Sequence, residues 1–461
     1  MGFVLSILYF ITYYLTPSVV FGPLAVFRIE LILAGLIFCA SLPTLAGSFI
    51  WKTPQTWALG GLAIAAMASV VVGEQWVTGG LQAFLNFIPN AFAYFLVCLH
   101  CNSKKKLQIL VLMMLFVCLF VIVQGSIELQ RGPASNAVQS GDSDAIRLAS
   151  PPYLLAMQND AGEWFYRLRG LGEINDPNDF AQLTVCVLPL VFIFWRPKKT
   201  VRNIAFVLLP VSALLFGVFL THSRGAILAL IAMAIVAVRR RIGTVPSLLL
   251  AGGLFIAASA LHFTGGREIS ANAGEDRTAL WGEGLELLKS HPLFGVGFGN
   301  MGDYVDDHKT AHNSLVVCAA ELGLFGLYFW TLFLFPTVRD VLAIASPKKV
   351  SEGHPIVPEK TPFPRAPRKT KTLDKAEICR LGRLLLLSLT GFLVAGWFLS
   401  RAFVMTFFLL GGFTEVVFEM ALLRGMIPPR LPTSRVLRYS GGLAISLVLF
   451  MYIVIRILHL T

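Results

Sequence analysis

Charge is what this 461-residue sequence has least of: Asp, Glu, Lys and Arg make up 14% of it, against 56% hydrophobic residues. Such a chain has long stretches with no polar face, and it repeatedly offers apolar windows of the roughly 20 residues that cross a bilayer. Acidic residues are the scarcer sign, 26 against 38 Lys and Arg, for a net charge of +12. Nucleic-acid binding does not follow, because the basic residues sit in short clusters between apolar runs, where the positive-inside rule expects cytoplasmic Lys and Arg. Cysteine is also sparse. Cys39, Cys98, Cys101, Cys118, Cys186, Cys318 and Cys379 all fall in apolar runs or basic loops, which excludes a disulfide framework, and Cys98-x-x-Cys101 lacks the second pair of a zinc site. The N-terminus lacks a basic segment and an Ala-x-Ala cleavage site, so its apolar run reads as a retained first helix. Self-similarity at a period of 20–50 residues is missing, which excludes a solenoid.

What is there is an all-α polytopic membrane protein, since lipid offers backbone polar groups no partner outside a spanning helix. Spans are expected at about 3–16, 29–47, 57–73, 81–99, 107–124, 178–195, 203–220, 225–238, 246–262, 312–336, 384–400, 402–423 and 439–459, about 12 or 13 in all. With the N-terminus inside, the basic loops all land inside: Lys104 to Lys106, Arg196 to Arg202, Arg239 to Arg241, Pro347 to Arg383, and Arg424 to Arg438. The opposite side receives a loop at 125–177, a short break at Thr221 to Arg224, and a large loop at 263–311, which together carry most of the acidic residues. Residues 1–461 thus read as one transmembrane domain with two periplasmic loops. A basic, Pro-rich cytoplasmic linker at 337–383 completes it, too rich in Pro and Lys to hold a core.

The large loop and the helix after it carry the informative motifs. Glu275-Asp276-Arg277-Thr278-Ala279-Leu280-Trp281 opens a short amphipathic helix expected over Asp276 to Ser290. His291-Pro292-Leu293-Phe294-Gly295-Val296-Gly297-Phe298-Gly299-Asn300 follows, and then Ala311-His312-Asn313-Ser314 heads an apolar run through Trp330. This order resembles the bacterial O-antigen ligase and O-antigen polymerase superfamily of membrane glycosyltransferases. The resemblance implies a GT-C-like fold and a glycan donor on undecaprenyl diphosphate. It also implies metal-independent, inverting chemistry without a cofactor at the periplasmic face of the inner membrane. The acceptor would be a lipid A core sugar in a ligase or another lipid-linked glycan in a polymerase.

Such a reaction needs cations for a diphosphate leaving group and a base for the attacking hydroxyl. Arg224 stands in Thr221-His222-Ser223-Arg224-Gly225, a polar break at the outer boundary. By itself it fits an interfacial arginine snorkelling to headgroups as well as an anion-binding group. Arg277 fits a surface salt bridge with Glu275 or Glu283, and equally a guanidinium fork on a diphosphate. His312 could bond a loop carbonyl, or serve as a neutral imidazole base. Ser-Arg-Gly at 223–225, Asp-Arg-x-x-x-Trp at 276–281 and His-Asn at 312–313 match the superfamily's two essential arginines and its histidine, so the resemblance makes Arg224, Arg277 and His312 catalytic candidates.

Arg169-Gly170-Leu171-Gly172-Glu173-Ile174-Asn175-Asp176-Pro177-Asn178 caps the next helix, with Asp176 or Asn175 as N-cap and Pro177 at its first position. Similar sequence in the superfamily makes Arg169 and Asn178 substrate-binding candidates, together with Asn300 and Asn313. His291 is expected to order its turn. Gly295-x-Gly297-x-Gly299 is a tight turn and no dinucleotide fingerprint, since no strand precedes it. His308 and His312 with Asp303, Asp306 and Asp307 are a weaker metal candidate, and Asp142-Ser143-Asp144 reads as solvated loop. Glu321, Glu415 and Glu419 lie in apolar runs, where they mark either a transport path or structural pairs, the last two with Arg401 or Arg424. A polysaccharide exporter or flippase therefore remains the rival to glycosyl transfer.

Overall fold

Every expected span falls on a helix. The computed structural model describes residues 1–45, 47–131, 150–158, 162, 164–260, 272–305, 310–346 and 374–458. In chain order the helices are α1 (Gly2–Leu15), α2 (Pro17–Val20), α3 (Ile29–Leu45), α4 (Pro54–Gly73), α5 (Val77–His100), α6 (Lys104–Arg131), α7 (Pro177–Leu190), α8 (Thr200–Asn203), α9 (Leu209–Thr221), α10 (Arg224–Ile242), α11 (Thr244–Ala260), α12 (Asn272–Ser290), α13 (Ser314–Ala345), α14 (Lys375–Gly396), α15 (Met405–Leu422) and α16 (Thr433–Leu458). Among the described residues nine helical stretches are long and apolar enough to cross a membrane, and α1, α3 and Thr244–Ile256 are shorter apolar helices. The chain is an all-α, multi-pass membrane protein. The one departure is a hairpin in the 125–177 loop, β1 (Leu154–Gln158) antiparallel to β2 (Trp164–Leu168), with Leu154 opposite Leu168. Asp142-Ser143-Asp144, the tract at 347–373 and His308 lie outside the described residues.

The chain divides into two compact units: Met1–Pro43, Ser103–Ile269 and Leu387–Ala395 form the first, and Thr44–Asn102, Ser270–Leu386 and Gly396–Thr461 the second. In the first unit α7 is the core helix, with Phe180, Val185, Cys186 and Val187 fully buried. Its polar groups are satisfied inside the protein, as lipid requires: Gln182 Nε2 donates to the Phe392 carbonyl at 3.1 Å and Ser388 Oγ donates to the Cys186 carbonyl at 2.6 Å. The second unit packs an aromatic cluster of Phe87, Tyr94, Phe333, Phe407 and Phe408 between α5, α13 and α15, with ring centroids 5.0–5.7 Å apart at steep angles, the edge-to-face geometry that aromatic quadrupoles favour.

In α13 the helix is broken at Gly323 (φ 63°, ψ −166°), and the break is where the His291–Gly299 turn docks. Val296 and Gly297 N–H donate to the Ala320 and Glu321 carbonyls at 3.0 and 3.1 Å, while Leu324 and Phe325 N–H donate to the Pro292 and Leu293 carbonyls at 2.8 and 3.1 Å. Groups that a continuous helix would pair internally are thus paired across to the turn. Only glycine fits on either side. A Cβ on Gly323 would lie 2.4 Å from the Leu293 carbonyl, and one on Gly295 (φ 69°) 2.4 Å from that of Glu321. Gly323→Ala is therefore expected to destabilise the protein by at least about 2 kcal/mol. Gly299→Ala, with positive φ but open space around it, should cost only the left-handed penalty of about 1 kcal/mol. Thermal unfolding of the two variants in detergent, each against wild type, checks the order; a Gly323→Ala no worse than Gly299→Ala would mean that the docked turn yields.

Candidate functional site

In the second unit His312 stands one residue before the helix cap. The sequence expected it to open the spanning helix, but α13 begins at Ser314 and Asn313 is the N-cap, its Oδ1 accepting from Leu315 and Val316 N–H at 2.9 and 3.2 Å. Asn313 is fully buried, and its Nδ2 has no hydrogen-bond partner among the described residues. His312 adopts left-handed backbone, φ 47°, a conformation costing a non-glycine residue roughly 1–2 kcal/mol and recurrent at functional sites. Its neighbours hold it there while its side chain is exposed. The His312 N–H donates to Ser400 Oγ at 3.0 Å, and Ser400 Oγ donates to Thr310 Oγ1 at 2.7 Å. Ser314 Oγ donates to the Leu399 carbonyl and accepts from Arg401 N–H.

Arg277 is tied to the same segment through Trp281, one helical turn further along α12. The buried Trp281 indole donates from Nε1 to the Ala311 carbonyl at 2.8 Å, and its ring meets Trp397 edge-on at 5.9 Å. Arg277 is half-buried on that helix. The Arg-x-x-x-Trp spacing thus fixes the arginine relative to the residue just before His312.

Asn300 ends the docked turn. Its Nδ2 donates to Glu74, and Phe298 N–H donates to Ser69 Oγ at 3.0 Å, anchoring the turn to α4. Glu321 anchors it to α13: its carboxylate accepts from Gly299 and Met301 N–H. His291, exposed, bonds Ser290 Oγ through Nδ1.

In the first unit Arg224 is the first residue of α10, behind Ser223 as N-cap. A cation there opposes the helix dipole, which favours negative charge at this end. Its Nε is buried and unbonded among the described residues. Ahead of it, His222 is left-handed (φ 48°) and wedged edge-on between Phe165 and Phe219. Arg167, 3% exposed, fastens this turn to the start of α7: its Nε donates to the Thr221 carbonyl at 2.8 Å and its Nη2 to Asn178 Oδ1 at 2.9 Å. Asp176 caps α7 by accepting from Asn178 N–H at 2.7 Å, with Pro177 at the first position as expected. Arg169 is half-buried and donates to the Pro152 carbonyl at 3.2 Å; burial pushes its guanidinium below the ordinary value, against the opposing pull of Asp176 and Glu128.

The first unit thus brings Asn178 beside the turn that presents Arg224, and the second brings Arg277, His312 and Asn313 onto one framework. Arg167 and Ser400 went unnoticed in the sequence. Arg167, rather than the substrate-binding candidate Arg169, makes the hydrogen bonds to Thr221 and Asn178. Ser400-Arg401 is a Ser-Arg pair in a short break between apolar runs, the same signal as Ser223-Arg224.

Fold and site define a multi-pass membrane protein with cationic and imidazole groups in the polar breaks between its helices. A family model described as O-Antigen ligase matches residues 209–331, the segment that carries most of the motifs by which the sequence resembles that superfamily. The match includes Arg224, Arg277, Asn300, His312 and Asn313; Arg169 and Asn178 lie ahead of it. No curated protein matches the chain.

Proposed function

We propose that this protein is a glycosyltransferase of the bacterial inner membrane that moves a glycan from undecaprenyl diphosphate to an acceptor sugar hydroxyl at the periplasmic face, with inversion and without a metal, on a GT-C-like fold. The observation that carries it is Arg224, a cation whose buried Nε is unbonded among the described residues, at a helix N-terminus inside the matched segment. An anion supplies what both the guanidinium and the helix end are missing. In this reading Arg224 and Arg277 bind the diphosphate and stabilise it as it leaves. His312 accepts the proton of the attacking hydroxyl. Arg169, Asn178, Asn300 and Asn313 hold the sugars or the groups that position them. Ligase chemistry on a lipid A core sugar is the primary reading, and a repeat-unit polymerase uses the same groups with a second lipid-linked glycan as acceptor.

The three intramembrane carboxylates that spoke for an exporter or flippase have partners within the protein. Glu321 is bonded to the turn, and Glu415 and Glu419 both pair with Arg430 rather than with Arg401 or Arg424. Purified protein supplied with lipid-linked glycan and lipid A core is expected to form the glycosidic bond, and to do so equally in EDTA. Donor moved between leaflets of a liposome with no new bond would support transport instead, and activity lost on chelation and restored by zinc or magnesium would end the metal-free mechanism.

A further inference from the structure

The turn between α7 and α9 has features that the transfer reaction does not use. Lys198, Lys199 and Arg202 share with Val201, Ala205 and Phe206 the lining of a surface groove of about 550 Å³. None of the three cations forms an ion pair among the described residues, and no Asp or Glu occurs between Asp179 and Glu268. The turn is built rather than loose. The buried Asn203 side chain clamps Arg196, accepting from its N–H at 2.9 Å and donating to its carbonyl at 2.6 Å. Arg202 Nη1 donates to the Phe194 carbonyl at 3.1 Å, and its guanidinium lies 5.7 Å from the Phe206 ring centroid. Lys198 is held at φ 62°. Directly after the turn, Ile204–Leu208 winds as a π-helix, a widened turn that is uncommon and concentrated at functional sites.

Beside the cations the surface turns apolar. Val201 is 82% exposed, Phe206 60% and Leu209 66%. The stretch Thr200–Thr221, long and apolar enough to span, has only 28% of its apolar window buried inside the protein, so the remainder faces acyl chains. Unpaired positive charge at the head of a lipid-facing apolar helix has the chemistry of one ligand class, a phosphate esterified to acyl chains. A free phosphate would leave the apolar side unused, and a zwitterionic headgroup would bring a positive charge toward three cations.

We infer that the 196–206 turn is a binding site for an anionic phospholipid, its headgroup phosphate held by Lys198, Lys199 and Arg202 and its chains lying along Phe206 and Leu209. Such contacts anchor juxtamembrane segments in the leaflet they face. The full-length protein in neutral detergent is titrated with phosphatidylglycerol, phosphatidylcholine or inorganic phosphate, and retained lipid is counted by native mass spectrometry. Phosphatidylglycerol is expected to be retained and phosphatidylcholine not. Lys198→Gln with Lys199→Gln should weaken retention about thirtyfold, whereas Lys198→Arg with Lys199→Arg should keep it. Arg239→Gln with Arg241→Gln removes the same charge from the basic end of α10 and should leave retention unchanged. Equal retention of the two lipids, or equal loss in the 239/241 variant, would overturn the site in favour of diffuse charge attraction. Displacement of phosphatidylglycerol by equimolar inorganic phosphate would overturn the lipid assignment and leave a simple anion site.

Discussion

His312→Ala is expected to lower glycan transfer by about 10² to 10⁴, the usual share of general-base catalysis, while donor binding stays close to wild type. Arg224→Lys and Arg277→Lys should behave differently. Each keeps its charge but loses the planar fork that offers paired hydrogen bonds to phosphate oxygens, so binding and transfer should fall together. Measuring both quantities on correctly inserted protein separates the roles. The hydrogen bonds made by His312 N–H, the Ala311 carbonyl, Asn313 and Ser314 do not involve the imidazole, so the alanine variant retains these four. Near wild-type turnover in His312→Ala would remove the base from this position and turn attention to Glu173, since the Asp176 carboxylate is already occupied in capping α7. Lost donor binding in the same variant would recast His312 as a diphosphate ligand.

The spans were legible because lipid imposes one rule on every helix, so apolar length locates it whatever packs beside it. The cap of α7 was legible for the same local reason, since Asp176 sits two residues from the N–H it satisfies; Ser223 and Asn313, equally local, were not singled out as caps. What was not legible depends on partners far along the chain. Gly323 reads as a tolerable glycine in an apolar run, and only the docked turn, some thirty residues earlier, shows that it breaks the helix. Trp281 reads as an apolar anchor, and its use, to hold the Ala311 carbonyl, lies 30 residues away. The 125–177 segment reads as polar loop because its two five-residue strands are too short to show alternation against their surroundings. For Glu415 and Glu419 the sequence offered a transport path or the arginines flanking their own helix, whereas the guanidinium that reaches them comes from the turn beyond it.

That guanidinium carries the largest expected effect on stability. Arg430, in the turn between α15 and α16, bonds both carboxylate oxygens of Glu415 and one of Glu419, and lies 3.7 Å from Asp340 of α13. Its face covers the Phe418 ring at 4.7 Å. Glu415 and Asp340 are essentially inaccessible, and a second cation on the cluster is Arg339, which bonds Asp340 Oδ1 at 2.8 Å. Arg430→Met removes the charge, keeps much of the stem and leaves Glu415 and Glu419 buried without a counter-ion. Breaking a buried pair in this way costs about 3–5 kcal/mol, and the loss should register as a markedly lower unfolding temperature in detergent. Adding Glu415→Gln and Glu419→Gln to Arg430→Met removes the stranded charges, so the triple variant should regain much of what the single variant loses, a coupling that independent sites would not show. If the triple variant is less stable than Arg430→Met alone, the arginine acts through its packing on Phe418 rather than through the carboxylates.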